Sequence, residues 1–384
     1  MFCRFEDRLA GRALQMEGPC ERIEARRPEE LAPALARIDE ARARGRWVGL
    51  LADYELGEWL DPGMAPEADA EGTPDADRPR LTALVFERAH AEAPWDAPAD
   101  KAARVLSAAP RLGAARHAAA VAEIRERIAR GEVYQINYTL PVDVRAHGDP
   151  RTLYRRIAAR HPSAHAAFVQ DGRRSVLSFS PELFVRRQGA TLTCRPMKGT
   201  APRHPDPAED ARLGRALQAS AKDRAENLMI VDLLRNDLGR LAAPGSVRVE
   251  RLFELERYPS VWTLTSTIHA EAPRAGLGDV LRALFPCGSV TGAPKIAAMR
   301  RIRRLEAAPR GLYCGSVGWL APGGDFSLNV AIRTLVLDGG GAGVYGVGGG
   351  IVIDSEAGLE WRECQWKARL LDGWDGGSRE PGPA

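Results

Sequence analysis

The order of apolar and polar residues along the chain predicts a mixture of helices and strands. Residues 114–129 repeat apolar side chains every three or four positions, as at Val121 and Ile124, which is typical of an amphipathic helix. In residues 221–239, leucine, isoleucine and valine would lie on most sides of a helix with this spacing. We therefore expect a largely buried helix there. A further helix is predicted over residues 359–371, which puts helices in both halves of the chain.

Short apolar runs bounded by glycine, proline or charged residues predict strands. The predicted strands cover residues 46–54, 81–86, 133–139, 190–194, 311–315, 326–337 and 344–353. An aspartate and three glycines at residues 338–341 predict a hairpin turn between the last two strands. The glycines of residues 346–350 look like a dinucleotide fingerprint. However, β-branched residues follow them where that motif needs a helix, so we reject this interpretation.

A proline-containing segment divides the chain into two unequal parts. Residues 91–100 hold Pro94 and Pro98 among small and polar residues, which predicts a boundary near residue 100. The expected organisation is a small N-terminal region over residues 1–100, a catalytic domain over residues 101–376 and a flexible tail over residues 377–384.

Composition and charge narrow the class of protein. The 384 residues are 45% hydrophobic, enough for a substantial core, and 54 basic residues against 51 acidic ones leave a net charge of +3. No basic run is dense enough to indicate nucleic acid as a partner, and no apolar run is long enough to indicate a membrane span. The six cysteines are scattered and no signal-peptide pattern opens the chain, so we expect a reduced, cytoplasmic protein.

Two titratable residues are candidates for catalysis. Lys198 stands between an apolar residue and a glycine just after a predicted strand; to act as a nucleophile it must be partly desolvated or lie beside positive charge. Glu182 follows Pro181 in a predicted turn, and a general acid there needs a pKa that burial has raised. The alternative for both residues is a solvated surface position, which is usual for charged side chains.

Two carboxylate pairs are candidates for a metal site. Asp223 and Glu226 lie one helical turn apart, and Glu360 and Glu363 repeat that spacing on the last predicted helix, with Lys367 one turn further on. Mg²⁺ prefers oxygen ligands and binds through a few carboxylates, waters and anionic groups of a substrate. Such pairs are also common on solvated helix faces, so spacing alone leaves both interpretations open.

Several motifs together resemble the chorismate-utilising enzymes. These motifs are Ser-Pro-Glu-Leu-Phe at residues 180–184, Pro-Met-Lys-Gly-Thr at 196–200, the acidic helix start at 223–229 with Arg-Asn-Asp at 235–237, Pro-Cys-Gly-Ser-Val-Thr-Gly-Ala-Pro-Lys at 286–295, Ala-Ile-Arg-Thr at 331–334, and the glycine run at 346–352 with Glu360 and Glu363. The resemblance covers residues 100–370 firmly and the first hundred residues weakly. It implies an α+β fold in which antiparallel β-sheets pack as a sandwich flanked by helices.

The resemblance also implies roles for individual residues. Lys198 matches a covalent nucleophile and Glu182 a general acid; Glu226 and Glu363 match Mg²⁺ ligands, with Asp223 and Glu360 supporting through water. Tyr313, Arg333 and Gly349 are expected to hold the enolpyruvyl carboxylate, with Ser289 and Lys295 nearby. The full set of expected substrate-contacting residues is Gln135, Thr200, Ser289, Lys295, Tyr313, Arg333, Gly348 and Gly349.

The reaction implied by the resemblance is amination of chorismate at C4, a step toward para-aminobenzoate and folate. Lys198 resembles the members that carry out this amination, whereas anthranilate-forming members carry alanine there. Gln135 stands where relatives that use water carry a base-forming lysine, which argues against water as the nucleophile. Ammonia is expected from a separate glutamine amidotransferase subunit, in a heterodimer with this chain.

Two alternative functions stay open at this stage. One is anthranilate formation, in which ammonia attacks C2 and pyruvate is lost. Thr263 stands where the family commonly has a histidine associated with that loss, which argues against this alternative. The other is a catalytically silent subunit that only binds chorismate.

Overall fold

The computed structural model describes residues 1–65, 78–100, 102–258, 261–306 and 308–371. The strands are β1 (Phe2–Asp7), β2 (Arg12–Glu17), β3 (Glu21–Ala25), β4 (Trp47–Ala52), β5 (Leu81–Phe86), β6 (His90–Glu92), β7 (Arg104–Pro110), β8 (Gln135–His147), β9 (His165–Gln170), β10 (Arg174–Ser180), β11 (Leu183–Gln188), β12 (Thr191–Arg195), β13 (Met197–Pro202), β14 (Arg248–Arg257), β15 (Val261–Glu271), β16 (Gly292–Ala293), β17 (Ser316–Leu320), β18 (Phe326–Asn329), β19 (Thr334–Asp338) and β20 (Ala342–Ile351). The helices are α1 (Pro28–Ala43), α2 (Gly57–Leu60), α3 (Ala114–Ala129), α4 (Pro150–Arg160), α5 (Pro207–Ala219), α6 (Ala221–Gly239), α7 (Leu277–Leu284), α8 (Lys295–Leu305) and α9 (Ala357–Ala368).

The strands form two antiparallel sheets. In the first sheet the order is β16-β8-β20-β19-β10-β9-β1-β2-β6, with β7 also paired to β8. In the second sheet the order is β13-β15-β12-β11-β18-β17-β4-β5-β3, with β14 also paired to β15. Each sheet combines strands from the beginning and the end of the chain, so neither can form until distant segments have met.

Buried apolar clusters among the described residues form layers between the sheets and helices, and three of them make up the sandwich and its largest helical flanks. One buried cluster joins residues of both sheets, including Phe5 and Leu51, and forms the centre of the sandwich. A second cluster packs helices such as α1, α6 and α7 on the second sheet, and a third packs α4 and the end of α9 on the first sheet. Each fully buried apolar side chain in these layers contributes about 1.5–3 kcal/mol. The expected α+β sandwich flanked by helices is therefore confirmed.

Two chain crossings between the sheets lie side by side. The chain leaves β10 of the first sheet and enters β11 of the second, with Glu182 at the crossing. It returns from β18 to β19 through residues 330–333. The amide of Val330 donates to the carbonyl of Glu182 at 3.1 Å, which joins the two crossings.

The predicted strand over residues 326–337 is wrong in its middle. Residues 330–333 form the second crossing, and Arg333 there has a φ of 50°, a left-handed value that a strand cannot continue through. The predicted strand over residues 311–315 is also wrong, because this segment is a turn in which Gly311 and Cys314 have positive φ. The hairpin predicted at residues 338–341 is confirmed by the antiparallel pairing of β19 and β20.

The start of α6 fixes the position of one acidic pair. The Ser220 hydroxyl accepts from the amide of Asp223 and caps α6, so Asp223 and Glu226 occupy its first turns. The predicted bounds of α3 and α6 are confirmed, and α9 begins two residues earlier and ends three residues earlier than predicted.

The domain boundary near residue 100 stays a prediction. Strand β1 pairs with β9, and β4 pairs with β17, so strands from before that position are hydrogen-bonded into both sheets. The predicted tail over residues 377–384 lies outside the described residues.

Candidate active site

Most of the predicted site residues line one cavity of about 230 Å³. It is bounded by β13, the start of α6, the glycines of β20 and one side of α9. The predicted residues in its lining are Glu182, Lys198, Thr200, Asp223, Glu226, Ser289, Tyr313, Arg333, Gly348, Gly349, Glu360 and Glu363. Residues from eight separate elements or loops are thus brought to one place.

Glu182 is a buried carboxyl with a defined partner. It is 3% exposed, and the Ser289 hydroxyl donates to its Oε1 at 2.6 Å. Burial raises the pKa of Glu182 to about 7, while the Ser289 hydrogen bond and the charge of Lys198 oppose that rise. The group therefore keeps a substantial protonated fraction near neutral pH, as a general acid requires.

Lys198 and Gln135 meet above a glycine. A Cβ at Gly350 would lie 2.6 Å from Lys198 Nζ and 3.0 Å from Gln135 Nε2, so glycine leaves the space that both side chains use. Gln135 does not line the cavity directly; it is fully buried, and neither atom of its amide has a hydrogen-bond partner among the described residues. A buried amide without partners is costly, so this one is available to bind a group beside the lysine.

The four carboxylates of α6 and α9 face each other across the cavity. Burial raises the pKa of Glu226, and the charges of Asp223 and Glu363 add to the rise. Burial likewise raises the pKa of Glu360, and Glu363 again adds to it. Burial, with a smaller addition from repulsion between the carboxylates of the two helices, therefore disfavours the ionised forms of Glu226 and Glu360.

The donor set fits Mg²⁺ in its chemistry. Carboxylate oxygens from two helices face a cavity that also admits water and a ligand. Among the described residues, no three His, Cys, Asp or Glu side chains lie close enough together to hold a metal ion between them. The site therefore offers suitable ligands without a fully assembled cage.

Lys367 is bound to one of these carboxylates. Its ammonium donates to Glu363 Oε1 at 2.6 Å and to the carbonyl of Gly348 at 2.6 Å. The charge of Lys367 lowers the pKa of Glu363, in contrast to the neighbouring carboxylates.

Arg333 and Tyr313 form the opposite wall. Burial lowers the pKa of Arg333, and no side-chain hydrogen bond or ion pair of its guanidinium is found within the described part of the chain. The Tyr313 ring packs on Gly346, where a Cβ would lie 2.2 Å from it. An arginine held without a carboxylate partner is suited to bind one from a ligand.

Lys295 is not brought to the cavity. Its ammonium donates to Asp237 Oδ2 at 2.6 Å and to the carbonyl of Leu284 at 3.1 Å, and Lys295 does not line the cavity, so its expected place beside the substrate stays a prediction. Thr200 lines the cavity at its exposed edge.

The cavity also contains residues that the sequence analysis did not select. Asn137, Lys222 and Tyr345 line it. Asn137 could have been found, because it lies two positions after Gln135 and strand geometry places both on one face. Tyr345 gave no such signal, since its position depends on the pairing of β20 with β8.

A larger cavity, of about 750 Å³, lies on the other side of Tyr313 and Gly346. It contains neither Lys198 nor any of the four α6 and α9 carboxylates, and most of its charged lining residues are arginines. The smaller cavity is therefore the candidate active site, because it contains the candidate nucleophile and the four carboxylates.

Comparison with known proteins identifies the family. A sequence profile described as chorismate binding enzyme matches residues 19–372. The chain belongs to this family of chorismate-utilising enzymes, as its motifs indicate.

Two of the similar proteins carry different names. The chain is 44% identical over 253 residues to anthranilate synthase component 1 of Streptomyces coelicolor, covering 65% of this chain and 49% of the relative. It is 42% identical over 242 residues to aminodeoxychorismate synthase component 1 of Escherichia coli, covering 63% of this chain and 53% of the relative. These matches span only about half the length of either relative.

Solved structures extend the likeness over nearly the whole chain. Anthranilate synthase component I of Streptococcus pneumoniae superposes with a TM-score of 0.80 at 26% identity, covering 94% of this chain and 92% of that one. The menaquinone-specific isochorismate synthase of Escherichia coli superposes with a TM-score of 0.75 at 19% identity, covering 97% of this chain and 88% of that one, and so shares the fold. Among the described helices, none combines the length and apolar character needed to cross a membrane.

Proposed function

We propose that this chain aminates chorismate at C4 to give 4-amino-4-deoxychorismate. The observation that carries the proposal is that Lys198 and the protonatable carboxyl of Glu182 line the same cavity. The similarity to aminodeoxychorismate synthase component 1 of Escherichia coli supports it. A lysine nucleophile and a buried acid are the two groups that a covalent route needs.

The proposed reaction proceeds in two substitutions. The neutral amine of Lys198 forms a bond to C2 of chorismate, the ring double bond shifts, and the C4 hydroxyl leaves as water with a proton from Glu182. Ammonia then forms a bond to C4, and the C2 bond to Lys198 breaks as the double bond returns. The sum is chorismate and ammonia giving the 4-amino product and water.

The remaining side chains bind and orient the substrate. Arg333 and Tyr313 pair with the enolpyruvyl carboxylate, and the Gln135 amide lies where it can contact a reacting group beside Lys198. Mg²⁺, held by Glu226 and Glu363 with Asp223 and Glu360 supporting through water, would neutralise the ring carboxylate.

Ammonia is proposed to come from a separate glutamine amidotransferase. The Escherichia coli and Streptomyces coelicolor relatives are each named component 1, which supports a second component for this chain as well. We propose that the two form a heterodimer, and that this chain stays in the cytoplasm.

Anthranilate formation is the second candidate, favoured by the Streptomyces coelicolor relative. Two residues argue against it. Lys198 replaces the alanine of anthranilate-forming members, and Thr263 is fully buried with its hydroxyl donating to the carbonyl of Gly199 at 3.0 Å. A hydroxyl bound in this way does not serve as the base that pyruvate loss needs.

Lys198→Ala tests the proposal. Wild-type protein given chorismate and Mg²⁺ without ammonia should carry the substrate less one water on Lys198, because ammonia is what normally releases it. The variant should lack this adduct, and residual product should shift toward the 2-amino isomer. Intact-protein and peptide mass spectrometry after acid quench, with chromatography of the products, measures both effects.

Lys222→Ala is the matched control, since it removes another lysine of the same cavity and should retain the adduct. The covalent route is wrong if Lys198→Ala still makes mainly the 4-amino isomer at near wild-type rate. Fluorescent anthranilate from wild-type protein would support the second candidate. No turnover with ammonium and Mg²⁺ would indicate a silent chorismate-binding subunit.

A further inference from the structure

The four carboxylates of α6 and α9 share a cavity without meeting at one point. Asp223, Glu226, Glu360 and Glu363 all line it. In the described part of the chain no three such side chains are close enough to hold a metal ion. The ligands that Mg²⁺ would need are therefore present in the cavity but are not gathered around one point, and a neighbouring side chain must account for their separation.

Lys367 forms a salt bridge with Glu363. The 2.6 Å bond from its ammonium to Glu363 Oε1 runs between positions one helical turn apart on α9. A second 2.6 Å bond, to the carbonyl of Gly348, fixes the ammonium over β20. The side chains of Lys367 and Glu363 are 34% and 42% exposed, so an ion that enters the cavity can reach the pair.

The cavity already holds basic side chains that offset its carboxylates without a metal. Its lining has five carboxyl groups, the four of α6 and α9 and the buried Glu182, and four basic side chains, Lys198, Lys222, Arg333 and Lys367. Two further positive charges from Mg²⁺, without an anionic ligand, would leave positive charge in excess, which is costly in a partly desolvated cavity. A metal ion therefore has to compete with a resident ammonium for its carboxylates.

We propose that Lys367 is a displaceable counter-ion that occupies Glu363 until Mg²⁺ takes its place. This inference rests on the magnesium site of the proposed function. Once displaced, the ammonium stays on the Gly348 carbonyl, close enough to Arg333 for their charges to interact. The two cations then face the carboxylates of the substrate, so metal entry prepares the site to bind an anion. Lys367 is a positioning residue in this scheme.

The other two lysines do not fit this role. No hydrogen bond or ion pair joins Lys198 or Lys222 to a carboxylate of the described residues, although both act on Glu226 and Glu363 through their charge. Lys222 is exposed at the cavity rim. It therefore provides a matched control that has the same charge near the same carboxylates but lacks the bond.

Calorimetric titration with MgCl₂ alone tests the proposal on the folded chain. Lys367→Gln keeps a donor for the Gly348 carbonyl and removes the competing charge, so Mg²⁺ should bind more tightly by about 1.5-fold to fivefold, the range expected from a partly exposed ion pair. Lys367→Met should give the same direction. Lys367→Arg keeps the charge and should stay near wild type. Lys222→Gln should change the affinity less, because solvent screens its charge.

Several outcomes would overturn the proposal. Mg²⁺ affinity in Lys367→Gln and Lys367→Met equal to or weaker than wild type, in variants whose thermal unfolding remains cooperative, means that Lys367 does not compete with the metal. Equal tightening in Lys222→Gln means that only the general charge of the cavity matters. Wild-type protein with no saturable Mg²⁺ heat refutes the proposed magnesium site itself, which separates that failure from a failure of Lys367 alone.

Discussion

At the scale of single residues, the environment of Glu182 decides its chemistry. The sequence shows only a glutamate after a proline, a position that is usually solvated. The structure puts it at a crossing between the two sheets, where burial raises its pKa to about 7. The residue type could be chosen from sequence, but the burial that raises its pKa comes from strands far apart in the chain.

The pKa of Glu182 predicts a pH dependence. A general acid works only when protonated, so wild-type activity should fall as pH rises through about 7. Glu182→Gln should lose activity by about 10²–10⁴-fold, the usual contribution of acid catalysis, and lose this alkaline limb. The measurement is kcat against pH for 4-amino product formation.

Ser289→Ala is the control for this profile. The Ser289 hydroxyl favours the charged form of Glu182 by donating to it, so its removal should raise the pKa and move the alkaline limb to higher pH. A limb at the same pH in Ser289→Ala, or one that survives in Glu182→Gln, would assign the titration to another group.

Lys295 shows what a motif leaves open at this scale. It ends a glycine-rich motif, six positions after Ser289, and only Ser289 of the two lines the cavity. The carboxylate of Asp237, on another helix, binds the lysine instead. A motif predicts which residues lie near a site, but partners from distant segments decide which side chains enter it.

At the scale of elements, the glycines of β20 provide room for side chains from other segments. The φ of Gly350 is not in the left-handed region, so the need for glycine is spatial. A Cβ there would meet the ends of the Lys198 and Gln135 side chains. From the resemblance, the sequence analysis expects Gly348 and Gly349 of this run to contact substrate; at Gly350 the structure shows close approach of the Lys198 and Gln135 side chains.

Gly350→Ala should therefore damage activity more than stability. The methyl group would displace Lys198 Nζ, 2.6 Å away, and a shift of about 1 Å in a reacting group can cost about a hundredfold in rate. The free energy of unfolding should change little, because a flexible side chain moves and the unfolded chain loses entropy. Steady-state kinetics and chemical denaturation measure the two effects.

Gly339→Ala is the matched control, since nothing lies within 4 Å of a Cβ at this turn position. It should leave both activity and stability near wild type. Full activity in Gly350→Ala would mean that the Lys198 ammonium does not have to occupy its present position.

Helix α9 carries the second element-scale prediction. Glu363→Gln removes a charged oxygen ligand, so direct Mg²⁺ binding should weaken by at least about tenfold and activity should collapse while the fold survives. Glu226→Gln, on α6, should have the same effect. Calorimetric Mg²⁺ titration and the Mg²⁺ dependence of the rate are the measurements.

Glu356→Gln is the control for that prediction. Glu356 is exposed just before α9 and does not line the cavity, so its loss should leave Mg²⁺ binding unchanged. If Glu363→Gln retains wild-type Mg²⁺ dependence, α9 is structural only.

Helices were predicted from sequence more accurately than strands for a physical reason. The bounds of α3 and α6 follow from hydrogen bonds and side-chain spacing within a few residues, which local sequence specifies. The apolar run over residues 326–337 looks continuous, yet β18 and β19 belong to different sheets. The position of such a crossing depends on which distant strands pair with each segment, and the spacing of apolar residues carries no information about that pairing.

At the scale of the whole molecule, the site depends on strands from both ends of the chain. β1 is buried along nearly its whole length and lies between β9 and β2. β4 lies between β17 and β5 in the other sheet. The family resemblance predicted the sandwich, but local patterns could not predict that the first hundred residues supply strands to both of its sheets.

This arrangement predicts that a fragment of residues 101–384 will not fold alone. Without the first hundred residues, β9 and β17 would each lose a neighbour and expose unpaired backbone groups and apolar side chains of the central cluster. The fragment should aggregate or unfold without a cooperative transition, and addition of a 1–100 peptide during refolding should restore part of the structure. Circular dichroism and thermal unfolding, with the full chain as the control, check this. A soluble fragment with a cooperative transition and chorismate-dependent activity would instead support a true domain boundary near residue 100.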